Sequence, residues 1–526
     1  MTGHVFVIQG DTRRFACDAY MHATDRDLRP NGGWTRSAPD ATNRIDPDER
    51  ADFHREKRFT LTLKDRHDVP NEPATILTAV PYYGVRHESE FVPRIEAFFA
   101  AAVEVGRRRR VTATIAKRDR LLFAVPLFGT GGGGAIDIRG RVFRMIYKEC
   151  SRAAAEYDVD VAVVLRDSRD YALAQVIRRE LGGAWPQLRE KEQQAQKLGD
   201  LARQARLVPF MGAGISLSAG APTWNGLIEK LAEAAGIHDP DIIESLKSHD
   251  ALDQAAYLRQ EFEHTRRGTR PDKTAFAEAV IEAVDVRRYG IAPPLLAALD
   301  AEQAITLNYD ELFEWATLDG ERPRRVIPGE ATDEQRWLLK LHGTVTDPAS
   351  IVLTRDDYLG FDSDRSALSS LVKATLMTRH LLFVGFSVKD PHFHEIVHDV
   401  RRALPEGRNR FGTVLTIDDD PVKTRLWKQD LEFIRFTDGR QLEVFLDAVL
   451  AYGASSHSYL LARGYGSALD PDVRTIAHAL QKMASSIPEG ARSGAVWSVV
   501  SGMLGELGWQ TESSRSSWRA LPKGLK

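Results

Sequence analysis

Cysteine is almost absent from this chain of 526 residues, which contains only Cys17 and Cys150. Two thiols cannot build a disulfide framework, and they are too few for a zinc site with four cysteine ligands. No cysteine follows Cys150. The sequence therefore excludes both a disulfide scaffold and a four-cysteine zinc module.

An excess of one charge and a long apolar run are missing as well. Lys and Arg number 71 against 74 Asp and Glu, so the chain lacks the large positive excess typical of nucleic-acid binders. No apolar run reaches the roughly 18 residues of a transmembrane helix, and residues 1–10 do not resemble a signal peptide. We therefore expect a cytoplasmic protein that binds neither membranes nor nucleic acid.

The first part of the chain alternates short apolar runs with longer amphipathic segments. The apolar runs predict buried β-strands at residues 5–8, 74–80, 121–127 and 159–165. Apolar residues at three- and four-residue spacing predict helices at 91–105 and 140–157. Residues 36–71 are polar and have no clear period, so we expect a long loop or an insertion there. We predict a three-layer α/β domain over residues 1–185.

A break at residues 182–186, rich in glycine and ending in proline, separates this series from a second one. A charged, helix-prone segment over residues 188–206 follows the break. The predicted strands of the second series are 207–211, 304–307, 337–341, 351–353, 381–384, 413–417 and 433–436. We predict a second three-layer α/β domain, with a mostly parallel Rossmann-like sheet, over residues 186–455, and a small helical region over residues 456–526.

Glycines and polar residues follow several strands of the second series. The turn after strand 207–211 contains Gly212, Ala213, Gly214 and Ser216. Such glycines let a pyrophosphate approach the backbone amides at a helix start, although any tight turn also uses glycine. Three further strand ends carry Asn308 and Asp310, then His342, then Gly385 and Ser387. Because doubly wound sheets bind ligands at the carboxyl edge of their strands, the sequence predicts a dinucleotide site there.

These four motifs resemble the sirtuin superfamily, in which they together hold NAD. The resemblance implies that the turn of Gly212, Ala213, Gly214 and Ser216 cradles the phosphates. It places Pro222, Trp224, Asn308 and Asp310 around the nicotinamide, Gly385 and Ser387 at the adenosine half, and His342 as the base. The chain departs from the family at Asn225, where sirtuins carry Arg.

Cleavage of the nicotinamide bond passes through an oxocarbenium-like ribose, so the site must direct a nucleophile to C1′. A neutral His342 suits proton removal, and the amide of Asn308 can orient a water molecule without adding charge. Sirtuin deacetylases carry a four-cysteine zinc module, which this chain lacks. It therefore resembles the zinc-less sirtuin-like NAD hydrolases of bacterial anti-phage defence, with water as the acceptor and no metal expected.

The N-terminal series contains a second glycine-rich loop, formed by Gly129, Thr130, Gly131, Gly132 and Gly133. A row of backbone amides suits a diphosphate. Together with Asp11, the loop resembles macro domains, which bind ADP-ribose. The resemblance implies that Asp11 meets the adenine amino group and that residues 129–133 hold the phosphates. Because residues 22–25 read His-Ala-Thr-Asp where many macro domains have Asn-Ala-Ala-Asn, a sensor of ADP-ribose or a cyclic ADP-ribose-like ligand is favoured over a hydrolase.

Alternatives remain open. His394 and His398 flank a glutamate in the H-E-x-x-H pattern of zinc proteases, but no third ligand stands at a family spacing. The central domain is alternatively a protein deacylase or ADP-ribosyltransferase, or a non-catalytic nucleotide-binding regulator. The resemblance to defence effectors also implies a homo-oligomer or a complex with a second defence protein.

Overall fold

Two open β-sheets, both mostly parallel, organise the computed structural model. The structure describes residues 3–28, 41–55, 58–66, 69, 71–81, 85, 87–130, 134–182, 185, 187–265, 274–405 and 410–509. Helices cover both sheets, as the two α/β series predicted. The limits of the predicted domains, 1–185, 186–455 and 456–526, stay predictions.

The first sheet has six strands in the order β1-β6-β5-β2-β4-β3, in which only β3 runs antiparallel to its neighbour. The strands are β1 Val5–Gln9, β2 Ala19–Thr24, β3 Thr60–Thr62, β4 Ala74–Ala79, β5 Leu122–Pro126 and β6 Asp160–Leu165. The helices are α1 Pro47–Arg55, α2 Val92–Arg109, α3 Val111–Ile115, α4 Arg139–Tyr157 and α5 Ser168–Gly182. Every residue of β1, β4 and β6 is buried, which explains why these strands read as continuous apolar runs.

The expectation of a long loop over residues 36–71 is wrong where the structure describes that segment. It contains α1 and the edge strand β3. The strand is only three residues long, with Leu61 as its buried centre, so it leaves no recognisable period in the sequence. Strand β2 was also missed, because polar residues interrupt its apolar pattern.

The second sheet has seven parallel strands in the order β13-β12-β11-β7-β8-β10-β9. They are β7 Leu207–Met211, β8 Gln303–Thr306, β9 Arg325–Ile327, β10 Trp337–Lys340, β11 His380–Val384, β12 Gly412–Thr416 and β13 Leu431–Arg435. The predicted strand at 351–353 is wrong: this segment joins no ladder. Ile351 and Leu353 instead pack into a cluster formed mainly by helices, whose burial produces the same short apolar run.

Thirteen helices in the described ranges accompany this sheet and the C-terminal region. They are α6 Lys191–Arg203, α7 Trp224–Ala234, α8 Pro240–Ser248, α9 Ala251–Thr265, α10 Ala275–Ala283, α11 Ala292–Ala297, α12 Leu312–Asp319, α13 Arg355–Thr378, α14 Pro391–Ala403, α15 Pro421–Leu426, α16 Gly439–Gly453, α17 Pro471–Ser486 and α18 Ala495–Glu506. The last two confirm the predicted helical C-terminal region. Across the described ranges, none of the helices combines the length and apolarity that crossing a bilayer requires.

The two sheets share one hydrophobic core. A single apolar cluster contains Phe6 of β1, Leu207 of β7 and Val449 of α16. Helix α6 lies directly on α16, where a Cβ built on Gly199 would stand 2.7 Å from Tyr452 Cβ. The absence of a side chain at Gly199 therefore permits the close contact between α6 and α16.

Candidate functional site

The register of the second sheet gathers four strand ends at one level. Thr306 pairs with both Lys340 and Met211, and Met211 also pairs with Val384. Asn308 and His342 each stand two residues beyond the paired Thr306 and Lys340. The structure therefore brings these two predicted catalytic residues to adjacent positions at the carboxyl edge of the sheet.

The glycine-rich turn after β7 interlocks with the end of β11. The Gly212 N–H donates to the Val384 carbonyl and the Gly214 N–H donates to the Gly385 carbonyl, each at 3.0 Å. A Cβ built on Gly214 would lie 2.5 Å from Gly385 Cα. Both glycines therefore serve a close approach of two backbones, and their amides already donate within the protein. The predicted phosphate contact at Ala213 lies between them, at the start of a 3-10 turn.

Ser216 joins this turn to the predicted nicotinamide residues. The Asn308 Nδ2 group donates to Ser216 Oγ at 3.1 Å, and Ser216 Oγ donates to Asp310 Oδ2 at 2.8 Å. Among the described residues, none donates a hydrogen bond to the buried Asn308 Oδ1. A buried acceptor without a donor costs free energy unless a bound molecule supplies one. The arrangement thus aims an oriented amide oxygen at a ligand or a water molecule.

Lys340 holds the loop that carries Asn308 and Asp310. Its side chain is 1% exposed, and Nζ donates to the Asp310 carbonyl at 2.7 Å and to Glu314 Oε1 at 2.6 Å. Burial raises the pKa of Glu314, and the Lys340 ammonium opposes that rise. Lys340 stands two residues before His342 and was not among the predicted site residues. The signal that was available is a lysine inside an otherwise apolar strand.

His342 lies beside a carboxylate that the sequence did not single out. Its Nε2 atom is 3.6 Å from Asp390 Oδ2, and both side chains are less than 10% exposed. The Tyr358 hydroxyl donates to the same carboxylate oxygen at 2.8 Å. Burial lowers the pKa of His342 to about 4, against the opposing effect of Asp390. The imidazole is therefore neutral at physiological pH, as a base must be.

One group of possible metal ligands occurs in the described part of the chain: His342, Asp390 and His392, whose ligand atoms lie within 4.8 Å of one another. Both Asp390 oxygens already accept hydrogen bonds, from Tyr358 Oη at 2.8 Å and from the Phe393 N–H at 3.0 Å. The His392 Nε2 atom lies 3.1 Å from the Tyr358 carbonyl oxygen. Because these contacts orient the carboxylate toward His342, we interpret the group as support for a base.

The H-E-x-x-H pair is not part of that group. His394 and His398 lie on α14 and face outward, and His394 Nε2 contacts the Val388 carbonyl oxygen at 2.8 Å. Their spacing follows from an ordinary amphipathic helix.

A cavity of about 460 Å³ lies over the carboxyl edge between β7, β11 and β12. Gly214, Gly385 and Ser387 line it, so three predicted cofactor residues meet at one space. Thr416, which ends β12, and Asp418, which follows it, line the cavity too, and neither was predicted. Neither Asn308 nor His342 is among the described residues that line this cavity. Ser216 connects Asn308 to the turn that forms the wall of the cavity.

The structure places Pro222 and Trp224 differently from the other predicted residues. Trp224 opens α7 and packs against the helical cluster of α7 to α10, and its indole N–H donates to Gln254 Oε1 at 2.9 Å. Pro222 is half-buried two residues earlier. Their contact with nicotinamide stays a prediction.

In the N-terminal sheet, Asp11 follows β1 and is held from two sides. The Arg13 side chain donates to its carboxylate, with Nε at 2.9 Å from Oδ1, and the Asp11 N–H donates to Tyr289 Oη at 2.9 Å. Burial opposes ionisation, but the Arg13 hydrogen bonds outweigh it and lower the pKa of Asp11. Gly129 takes a φ of 74°, Thr130 is buried, and Gly131, Gly132 and Gly133 lie outside the described residues.

Residues 302–434 match the sequence model of a family described as the SIR2-like domain. The chain is thus similar to SIR2-like domains over these residues. The matched residues include Asn308, His342, Gly385 and Ser387. They begin after the glycine-rich turn of β7, which the structure adds to the same sheet edge.

Two curated proteins illustrate what the chain is similar to. The NAD(+) hydrolase ThsA of Enterococcus faecium is 28% identical over 212 residues, which cover 38% of this chain and 41% of that protein. The defense-associated sirtuin 2 of Bacillus subtilis is 24% identical over 273 residues, or 50% of this chain and 25% of that protein. The chain thus spans less than half the length of each relative. A mutant of the Oceanobacillus iheyensis macrodomain with ADPR aligns with 34% of this chain and 93% of its own, with 13% identity and a TM-score of 0.24.

Proposed function

We propose that the SIR2-like domain hydrolyses NAD to ADP-ribose and nicotinamide. The observation that carries the proposal is that Asn308 and His342 each follow paired strand ends at one sheet edge, with a buried Asn308 oxygen that lacks a donor among the described residues. The absence of cysteine after Cys150 leaves no four-cysteine zinc module of a deacetylase. The matched relatives named NAD(+) hydrolases support water as the acceptor.

The reaction breaks the bond between C1′ of the ribose and the nicotinamide nitrogen, whose electron pair leaves with nicotinamide. A water molecule forms the new bond to C1′ and gives its proton to the neutral His342. Asn308 orients that water through its side-chain oxygen, and Ser216 fixes the amide. Asp390 stabilises the imidazolium that results, because its carboxylate is 3.6 Å away.

We further propose that the N-terminal domain senses ADP-ribose or a cyclic relative and controls a defence response based on NAD depletion. Asp11, the residue predicted to meet adenine, bonds Tyr289, whose hydroxyl donates to Asp319 Oδ2 at 3.0 Å. Asp319 ends α12, the helix that begins just after Asp310. A ligand that displaces this contact would therefore act on the loop of Asn308. A cytoplasmic location, a homo-oligomer and a second defence protein belong to the same proposal.

One assay of the purified full-length protein tests these proposals, with nicotinamide release measured by chromatography. We expect release from NAD alone, faster release when ADP-ribose or cyclic ADP-ribose is added, and no dependence on an acetylated peptide. Release only in the presence of the peptide would select a deacylase. No release in any arm would select a non-catalytic regulator and contradict the proposed hydrolysis.

The pH dependence of the reaction tests the base. Since burial lowers the pKa of His342 to about 4, kcat/KM should stay level down to about one pH unit above that value and then fall as the imidazole is protonated. Asp390→Asn removes the carboxylate that opposes this shift. The fall of kcat/KM at acid pH should therefore occur at lower pH. The pH-independent value of kcat/KM should drop on the order of tenfold, which is a part of what a general base contributes.

Asparagine still caps α14, so the variant should keep its fold. Asp399→Asn, an exposed position on the same helix, serves as the matched control and should leave the profile unchanged. An acid limb centred near the ordinary histidine pKa, or an unchanged profile in Asp390→Asn, would contradict these roles.

A further inference from the structure

The cavity over the SIR2-like sheet is not built from that domain alone. Besides Gly214, Gly385 and Ser387, residues 116–120, which join α3 to β5 in the N-terminal domain, line it. Its volume of about 460 Å³ is within the usual range for small-molecule pockets, roughly 300–1,000 Å³. A dinucleotide bound at the predicted adenosine site would therefore touch both domains.

Buried ion pairs fix the loop of residues 116–120 in this position. Arg118 is 7% exposed and lies 2.8 Å from Asp160 of β6 and 2.5 Å from Glu443 of α16. Arg440 of α16 reaches the same Asp160 at 2.7 Å. Each of these buried charges thus has an oppositely charged partner, which offsets the free-energy cost of burying it. Arg118 thus anchors the loop to its own domain through Asp160 and to the second domain through Glu443.

A second contact holds the loop beside the glycine-rich turn. Gly220 closes that turn with a φ of 96°, and a Cβ built on it would stand 3.4 Å from Ile115 Cβ at the end of α3. The end of α3 therefore lies close beside the glycine that closes this turn. The residues that follow Ile115 begin next to the phosphate site.

The ion pairs leave one cation of this loop unmatched. Arg118 bonds Asp160 and Glu443, and Arg120 bonds Asp158 at 3.0 Å. Lys117 is exposed, lines the cavity and has no carboxylate partner among the described residues. Its φ of 51° is uncommon for a residue with a side chain. The backbone amides of Gly212 and Gly214 already donate hydrogen bonds within the protein, so a pyrophosphate at this turn needs other partners. An ammonium group is a suitable counter-charge for it.

We propose that the N-terminal domain completes the dinucleotide site, with Lys117 binding the pyrophosphate of NAD across the domain boundary. This inference rests on the proposed function for its substrate. It assigns the N-terminal domain a direct part in substrate binding, separate from its predicted ligand site at Asp11 and residues 129–133. Domain docking and substrate affinity are then linked.

Steady-state nicotinamide release by full-length variants tests the proposal. Lys117→Ala should raise the KM for NAD about tenfold, the loss expected for one charge-assisted contact, and leave kcat within about twofold. Lys117→Arg should retain most of the affinity because it keeps the charge. Lys148→Ala, which removes an exposed lysine from α4 of the same domain, should match the wild type.

An unchanged KM in Lys117→Ala, or a loss of kcat with an unchanged KM, would overturn the proposal. If the wild type releases no nicotinamide, NAD stays intact during the experiment. Calorimetry can then measure the dissociation constant of NAD for the wild type and for the same variants. The hydrolysis proposal then fails by itself, while the Lys117 proposal still requires a weaker binding of NAD by Lys117→Ala. Equal binding by wild type and Lys117→Ala would refute it there as well.

Discussion

Asn308→Ala is expected to reduce nicotinamide release by a factor of about 10²–10³, because it removes a preorganised group aimed at the reacting water. The side chain packs no core: its amide donates only to Ser216 within the described residues, and its Oδ1 accepts no bond there. The substitution should therefore lower kcat strongly and leave the melting temperature nearly unchanged. Chromatographic assay of nicotinamide together with thermal unfolding measures both.

The companion variant His342→Ala should lose a factor of about 10²–10⁴, as removal of a general base does. Since the two residues act on one water molecule, the double variant should be scarcely slower than the worse single variant. Asn43→Ala, an exposed asparagine of the N-terminal domain, is the matched control. Release by Asn308→Ala at more than a third of the wild-type rate would remove this residue from the mechanism.

Strands in which every residue is buried are among the parts of the fold that the sequence predicted. Every residue of β1 and β6 is buried, so hydrophobicity on both faces produced runs that could be recognised without a structure. Strand β9 has three half-buried residues at the edge of the second sheet, and nothing in its composition distinguishes it from a loop. The segment 351–353 shows the reverse error, because helices can bury a short apolar run as well as a sheet can.

The candidate site divides in a similar way. Asn308 and His342 could be placed together because parallel pairing brings successive strand ends to one edge. Asp390 was written in the sequence five residues after Gly385, but its approach to His342 depends on how α14 packs and on the Tyr358 hydroxyl of α13. The position of the loop 116–120 could be predicted even less from the sequence. The docking of the two domains, through Arg118 and Glu443, brings it to the cavity.

The largest effect on stability is expected at Asp447 of α16, which is fully buried between the two domains. Its carboxylate accepts hydrogen bonds from Arg178 Nη1 and Nη2 of α5 at 2.8 and 2.7 Å, and it lies 2.8 Å from His4 Nε2 ahead of β1. Burial opposes its ionisation, yet Arg178 and His4 outweigh burial and lower the pKa of Asp447. The carboxylate is therefore ionised and is the counter-charge of a buried guanidinium.

Asp447→Ala should lower the free energy of unfolding by about 3–5 kcal/mol, because it leaves the Arg178 guanidinium buried without its partner. Urea unfolding followed by tryptophan fluorescence measures the loss, and Asp399→Ala, which breaks an exposed ion pair with Lys373, should change the curve little. Combining Asp447→Leu with Arg178→Met removes both charges and should recover most of the stability, since apolar groups of similar volume replace a buried pair at little cost. A double variant as unstable as Asp447→Ala would mean that packing of the carboxylate, not its charge, holds the domains together.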